Sequence, residues 1–244
     1  MAVATTDRGR PLSRRRAELP NLEALEIVRP RLEGRRVCVM GSAPLLETAG
    51  DLAPDERLIT VNGSLSSAPD VVPDVHVINA RCRPHITWNR QRVALNAAMV
   101  EQSRGRHVGV LALLPIEDGA ELATATLLGA QGTTWDRIVA IVRSTKDALA
   151  YTTGALDKEA DRHLSLSAGL TAVCLALWAG AARIRTEGFS FDAGYAYLPE
   201  DAVPVNARGH LRGDKTAIAK LTVRYPGRIV GDLFTRRREQ RPRI

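Results

Sequence analysis

Residues 167–197 read S-A-G-L-T-A-V-C-L-A-L-W-A-G-A-A-R-I-R-T-E-G-F-S-F-D-A-G-Y-A-Y: a turn, an apolar helix, a short strand and a polar aromatic loop in succession. Ser167-Ala168-Gly169 opens the run, and the helix is predicted over Leu166–Gly180. The first amides of a helix have no intrahelical acceptor, so such an opening can hold a phosphate without a metal ion. Arg183 to Thr186 then reads as a strand, and the loop beyond it carries Tyr195 and Tyr197. The whole chain has only four tyrosines and three phenylalanines. Two tyrosines beside a glycine on a polar loop therefore point to a site rather than a core.

The alternation continues toward the N-terminus. Arg36-Val-Cys-Val-Met-Gly41 is a continuous apolar run ending in glycine, the pattern of a buried parallel strand. Gly41-Ser42-Ala43-Pro44 turns the chain, with Pro44 suited to a first helical turn. Further strands are predicted at Leu58–Asn62, Val75–Asn79 and His107–Leu113, with a helix from about Arg90 to Gln102 before the last. Leu22 to Leu32 has helical spacing broken by Pro30. Helical spacing returns over Trp135–Leu149 through Ile138, Ile141, Val142 and Leu149. A late helix is predicted over Asp214–Arg224, stopped by Pro226-Gly227, before a last strand at Arg228–Gly231. Strands alternating with helices predict an α/β fold: a doubly wound, mostly parallel Rossmann-like sheet flanked by helices, one domain with a small lid region. That domain spans 21–234, between a basic leader at 1–20 and a basic tail at 235–244. Ligands of such sheets sit beyond the carboxyl ends of the strands, here near Gly41-Ser42, Asn62, Asn79 and Gly188.

The net charge of +7 over 244 residues is concentrated at the two ends. Arg8, Arg10, Arg14, Arg15 and Arg16 crowd one, and Arg236, Arg237, Arg238, Arg241 and Arg243 the other. Such ends suit an anionic membrane surface, at roughly 1 kcal/mol per basic residue near acidic lipid, or serve solubility alone. The middle of the chain has no basic helix interleaved with aromatics, so a nucleic-acid partner is not expected. Cys38, Cys82 and Cys174 are too scattered for a disulfide framework or a zinc site. The leader lacks an apolar signal region, and the longest apolar stretch, Leu170 to Ala182, is too short to span a bilayer. A reduced, cytoplasmic protein is expected.

Gly41-Ser42-Ala43-Pro44 is not the dinucleotide fingerprint, and Asn62 stands where an acidic ribose ligand would close it. NAD is disfavoured, and no Walker lysine is present. Asn62 and Asn79 stand at matching positions on successive strands. Each offers an amide that donates and accepts, which suits a ribose or sugar hydroxyl, although asparagine also ends strands for turn geometry alone. None of the five histidines forms a metal pair. His76 lies inside a strand and reads as structural. His210 stands in a glycine-flanked polar segment, Asn206-Ala-Arg-Gly-His-Leu-Arg-Gly213, as either a general base or an exposed loop residue. Asp192, Asp201 and Asp214 are scattered, with no D-x-D at a strand end. Ser64, Ser66 and Ser67 form no nucleophile elbow.

In this order the pieces resemble the small bacterial sialyltransferases that use CMP-sialic acid (glycosyltransferase family 42) and their wider Rossmann-like relatives. The family's opening G-x-G-P-S-L is matched by Gly41-Ser42-Ala43-Pro44-Leu45-Leu46, and its strand-end asparagines by Asn62 and Asn79. Its T-S-G helix is matched by Ser167-Ala168-Gly169 with Ala176 and Gly180, and its G-[IF]-[DS]-F turn by Gly188-Phe189-Ser190-Phe191. Tyr195-Ala196-Tyr197 and Gly209-His210, followed by Asp214 to Ala217, complete the match over roughly residues 36 to 231. The resemblance implies an inverting, metal-independent transfer of a sugar from a CMP-sugar donor to an acceptor hydroxyl, with no cofactor. His210 would take the acceptor proton, and Tyr195 would hydrogen-bond the departing phosphate. Gly41, Ser42, Asn62, Asn79, Ser167, Ala168, Gly169, Gly188, Phe189 and Ser190 would hold the nucleotide and donor sugar. The implied partners are a glycan or glycolipid acceptor, such as lipopolysaccharide, at the inner-membrane surface, and further copies of the chain.

Several positions depart from that pattern. Ser42 replaces an asparagine, Ala43 a glycine, Leu45 and Ala168 serines, and Asp192 stands where a second phosphate-binding tyrosine is usual. They leave another nonulosonate or a Kdo-like sugar open as donor, and also a nucleotide-binding relative without turnover. A pterin diphosphokinase-like enzyme would share the opening turn but needs acidic metal ligands where Asn62 and Asn79 stand.

Overall fold

A computed structural model describes residues 22–43, 52–80, 98–115, 119–191 and 210–231. Seven strands, β1 (Arg36–Met40), β2 (Glu56–Val61), β3 (Val75–Ala80), β4 (His107–Pro115), β5 (Thr134–Ala140), β6 (Arg183–Glu187) and β7 (Ile229–Gly231), form one sheet in the order β5-β4-β3-β2-β1-β6-β7. Every pairing is parallel. Among the described residues the helices are α1 (Arg29–Leu32), α2 (Ala120–Ala130), α3 (Arg143–Thr153), α4 (Ala168–Trp178) and α5 (Leu211–Arg224), with helical residues also at 98–101 and 3-10 segments at Glu23–Ile27 and Asn62–Ser67.

The apolar runs explain the layers. Along β1 to β3, Val37, Val39, Ile59, Val61, Val75 and Val77 face one side, where residues of α3, α4 and α5 complete a core. Cys38, Met40 and Leu58 face the other. There Ile78, Leu111 and Leu113 pack with Leu65, Met99, Val100, Ala120 and Leu128. Both faces are covered, as a parallel sheet requires, and the sheet is doubly wound. Helix α4 is buried almost all round and lies across β1, β2, β3 and β6. The chain builds outward from β1 to β5, then returns to place β6 on the other side of β1. The topological switch point therefore lies between β1 and β6. No helix among the described residues is long and apolar enough to cross a membrane.

Three expectations need correction. The spacing over Trp135–Leu149 is not one helix: Thr134–Ala140 is the edge strand β5, and only Arg143–Thr153 is helical. An edge strand with Asp136, Arg137 and Ile138 exposed mixes polar and apolar residues, and its apolar positions run into helical register with those that follow. The late helix begins at Leu211, not Asp214. Leu22–Leu32 divides into a 3-10 segment and α1, and Pro30 sits in the first turn of α1, where its missing N–H costs nothing. Helix α2 had no signal in the sequence, since its Ala- and Leu-rich run lacks a polar face. The leader, the tail and the segment expected as a lid, 192–209, lie outside the described residues, as do Pro44, Leu45, Asp192, Tyr195 and Tyr197.

His76 is structural. Its ring is fully buried in β3, with Nδ1 2.9 Å from Thr60 Oγ1 and Nε2 without a hydrogen-bond partner. Burial pushes its pKa down to about 4, with a smaller lowering from the Arg106 cation. A histidine held neutral in the fold gives stability that is complete above pH 6.5 and lost as the unfolded chain takes up the proton below it. We expect about 3 kcal/mol to be lost as pH falls from 6.5 toward 4, about two-thirds of it by pH 5. Denaturant midpoints measured across this range check it. The Thr60→Val/His76→Leu double variant should show a visibly flatter pH dependence, and an unchanged slope would refute the assignment.

Candidate functional site

The carboxyl ends of β1 and β6 lead into Gly41-Ser42-Ala43 and Gly188-Phe189-Ser190-Phe191, and two backbone bonds lace them together. Gly41 N–H donates to the Glu187 carbonyl at 2.7 Å, and Ala43 N–H to the Gly188 carbonyl at 2.8 Å. Gly188 has φ +64°, which turns the chain so that the Phe189 ring folds back over the strand ends. A Cβ on Gly41 would stand 2.4 Å from the Gly188 oxygen and 2.9 Å from Phe189 Cδ2, and one on Gly169 would stand 2.5 Å from Phe189 Cε1. Two glycines singled out for ligand approach thus receive a phenylalanine of the chain itself.

The neighbouring strand ends are tied by side chains. Ser42 Oγ donates to the Val61 carbonyl at 2.8 Å. Ser64 Oγ donates to the Met40 carbonyl and accepts from Val61 N–H, both at 2.8 Å. Asn62 follows β2 with φ +53°, and its Oδ1 accepts the Asn79 N–H at 2.9 Å. The two asparagines are therefore side by side, with the Asn62 oxygen engaged by Asn79. The Ser42 hydroxyl likewise points at backbone.

The first turn of α4 packs against the same Phe189 ring. Ser167 caps it, its Oγ accepting Leu170 N–H at 3.2 Å, and the first intrahelical bond is made by Thr171 N–H to the Ser167 carbonyl. The amides of Ala168 and Gly169 stand ahead of that bond, so the turn presents two donors. His210 is the N-cap residue of α5, with its side chain one-third exposed. One turn further on is Asp214, whose carboxylate is 6 % exposed. Its Oδ1 accepts the Ser167 N–H at 2.8 Å, and its Oδ2 lies 3.7 Å from His210 Nε2. Gly213 brings α5 onto the segment before α4, where a Cβ would stand 2.2 Å from the Ser165 oxygen. Lys146 of α3 donates to Ser165 Oγ at 3.2 Å, and Lys215 Nζ lies 5.6 Å from the centre of the Phe191 ring.

The structure thus brings together Gly41, Ser42, Ser167, Ala168, Gly169, Gly188, Phe189, Ser190 and His210, with Asn62 and Asn79 on the adjacent strand ends. Tyr195 lies outside the described residues. Asp214, Lys146 and Lys215 also stand beside these residues, and the sequence reading gave them no site role. The spacing His210-x-x-x-Asp214 carries a usable signal, because residues four apart share a helical face, but only for a helix that starts before Asp214. Among the described residues no three His, Cys, Asp or Glu side chains converge in a way that could hold a metal ion.

The fold has counterparts among solved structures. The sialyltransferase CstII from Campylobacter jejuni, solved in complex with the substrate analogue CMP-3FNeuAc, is 14% identical, with 81% of this chain and 80% of that chain covered at a TM-score of 0.50. The monofunctional α-2,3-sialyltransferase Cst-I from the same organism is 13% identical, with 81% and 75% covered at a TM-score of 0.48. At these identities the likeness is one of fold. No protein-family model and no curated protein matches the sequence.

The seat of Phe189 is directly testable. Gly169→Ala introduces a methyl 2.5 Å from the ring edge, and relieving it displaces the turn after β6. We expect a loss of about 1–3 kcal/mol in stability, read as a lower melting temperature. An unchanged melt would show that the ring is not held against this turn.

Proposed function

We propose that the protein is a glycosyltransferase that moves a sialic-acid-like sugar, a nonulosonate or Kdo-like residue, from a CMP-linked donor to an acceptor glycan hydroxyl, with inversion and without a metal ion. The observation that carries this reading is a capped helix N-terminus and a histidine that meet through one carboxylate, Asp214, which accepts the Ser167 N–H and lies 3.7 Å from His210 Nε2. The fold shared with CstII, solved with CMP-3FNeuAc, supports it.

The roles follow from the chemistry. A CMP leaving group carries a single phosphate, so the Ala168 and Gly169 amides and the positive end of α4 can receive its charge in place of a divalent ion. Tyr195, by the resemblance of its motif, adds a hydroxyl donor where negative charge grows on the departing oxygen. His210 accepts the proton of the incoming hydroxyl, and a neutral imidazole suffices because the sugar centre is already electron-poor. Asn62 and Asn79 border the nucleotide side of the crevice. The arginine-rich ends suit an acceptor presented at an acidic membrane surface.

Thermal-shift titration with CMP, UDP, GDP, AMP and NAD, each with and without EDTA, tests the donor class. CMP alone should stabilise the protein, by about 2.7 kcal/mol at a hundredfold excess over its Kd, with EDTA making no difference. His210→Ala should keep that shift while turnover with a CMP-sugar falls by about 10²–10⁴-fold. No response to CMP, or a metal-dependent response to a diphosphate nucleotide, would overturn the reading.

A further inference from the structure

The end of α3, the loop that follows it and the last turns of α5 enclose an open cavity of about 680 Å³ to which the transfer reading gives no task. Helix α5 rises about 1.5 Å per residue, so its Arg224 end lies about 20 Å from His210 at its start. Tyr151, Leu156, Ala219 and Val223 supply apolar surface to the cavity, and Lys158, Lys220 and Arg224 supply cations. The carboxylates around it are already engaged. Asp157 Oδ1 accepts the Glu159 and Ala160 N–H, both at 2.9 Å. Asp161 Oδ2 accepts the Asp157 N–H at 2.8 Å and pairs with the Lys220 ammonium. The carbonyls that end α3 are taken up as well. Ala150 accepts the Ala155 and Leu156 N–H, Tyr151 that of Gly154, and Thr153 the Tyr225 hydroxyl. The negative end of that helix is thereby blunted.

Two cations of the cavity are not engaged in this way. Among the described residues Lys158 and Arg224 have no carboxylate partner. Arg224 is nonetheless held in place. A Cβ on Gly154 would stand 2.5 Å from its Nη1, and its guanidinium carbon lies 5.9 Å from the centre of the Tyr225 ring. A guanidinium located in advance loses little freedom when it receives an oxyanion, and its fork of donors matches phosphate and carboxylate alike. Beside it on α5, Val223 is 82 % exposed. We propose that this cavity is a binding site for an anionic amphiphile, a phosphate or carboxylate head on an apolar chain, with the head on Arg224 and Lys158 and the chain along Leu156, Ala219 and Val223. The pairing of parts is what selects this class. Exposed cations alone hold a small anion weakly against water, and an apolar wall alone carries no preference for charge. A free alkyl anion and the headgroup of an acidic lipid share this chemistry.

Calorimetric titration of the full chain with octyl phosphate tests the site. Inorganic phosphate serves as the head alone, and octyl glucoside as the same chain on a neutral head. We expect saturable binding of one octyl phosphate, about tenfold or more tighter than either control, and the same affinity with CMP added. Arg224→Ala should weaken it about tenfold, the scale of a lost charge-assisted hydrogen bond, and Val223→Asp by a similar factor. Lys158→Glu, on an exposed loop, carries the test of the head if Arg224→Ala does not fold. Absence of saturable binding overturns the proposal, as does octyl glucoside binding equally well. Affinity untouched by these substitutions, or octyl phosphate displaced by CMP, overturns it too, since the ligand then sits elsewhere. Vesicles identify the source of the natural ligand. Sedimentation with phosphatidylglycerol vesicles that falls in Val223→Asp assigns a lipid headgroup, and sedimentation equal to wild type assigns a free anion.

Discussion

The Phe189 ring sits where three segments remote in sequence meet: the end of β1, the first turn of α4 and the turn after β6. Its seat exists because Gly41 and Gly169 have no side chains to fill it. Phe189 is partly buried, and the apolar contact it makes there is joined to geometry. The two backbone bonds from Gly41 and Ala43 to the β6 side hold only if the ring is accommodated. The spacing of these segments at the switch point is therefore set by packing within the chain.

A second tie joins α5 to the start of α4. Gly213 lets α5 approach Ser165, and Asp214 then reaches the cap of α4. The N-termini of both helices converge on this carboxylate, since Ser167 caps α4 and His210 caps α5. Two positive helix ends and a backbone N–H offset the cost of burying a negative charge. The groups proposed for the site thus stand at helix starts, and their positions follow from helix packing.

The fold was legible because β1 to β4 are apolar runs buried on both faces, and β1 to β3 lead into or close on glycine or asparagine, as strands of a covered parallel sheet do. Legibility failed where burial is one-sided: β5 has solvent on its outer edge, so its residues mimic helical spacing. It failed for α2 because an Ala- and Leu-rich helix shows no contrast between its faces. At the site, Ser167 and His210 could be picked out by local context, since each stands at a helix start beside glycine. The part played by Asp214 depends on a contact between residues 167 and 214, and no local pattern encodes it. Gly41 and Gly169 teach the converse lesson. Their lack of side chains read as room for a ligand, but what approaches them is a phenylalanine 20 residues beyond the later of the two.

The position of β1 between β2 and β6 has a consequence for biosynthesis. Its pairing with β2 joins Arg36 to Glu56, whereas its pairing with β6 joins Arg36 to Arg183. Emerging from the ribosome, the chain can assemble the β1–β5 side while the other edge of β1 has no partner at all. An apolar strand with an unpaired edge is a template for association with other chains. The seam that covers this edge is also the seam that forms the crevice, so a polypeptide stalled before residue 183 has both a bare strand and no site. Covering the free edge of β1 and joining the Gly41 and Gly188 turns thus depend on the same late segment.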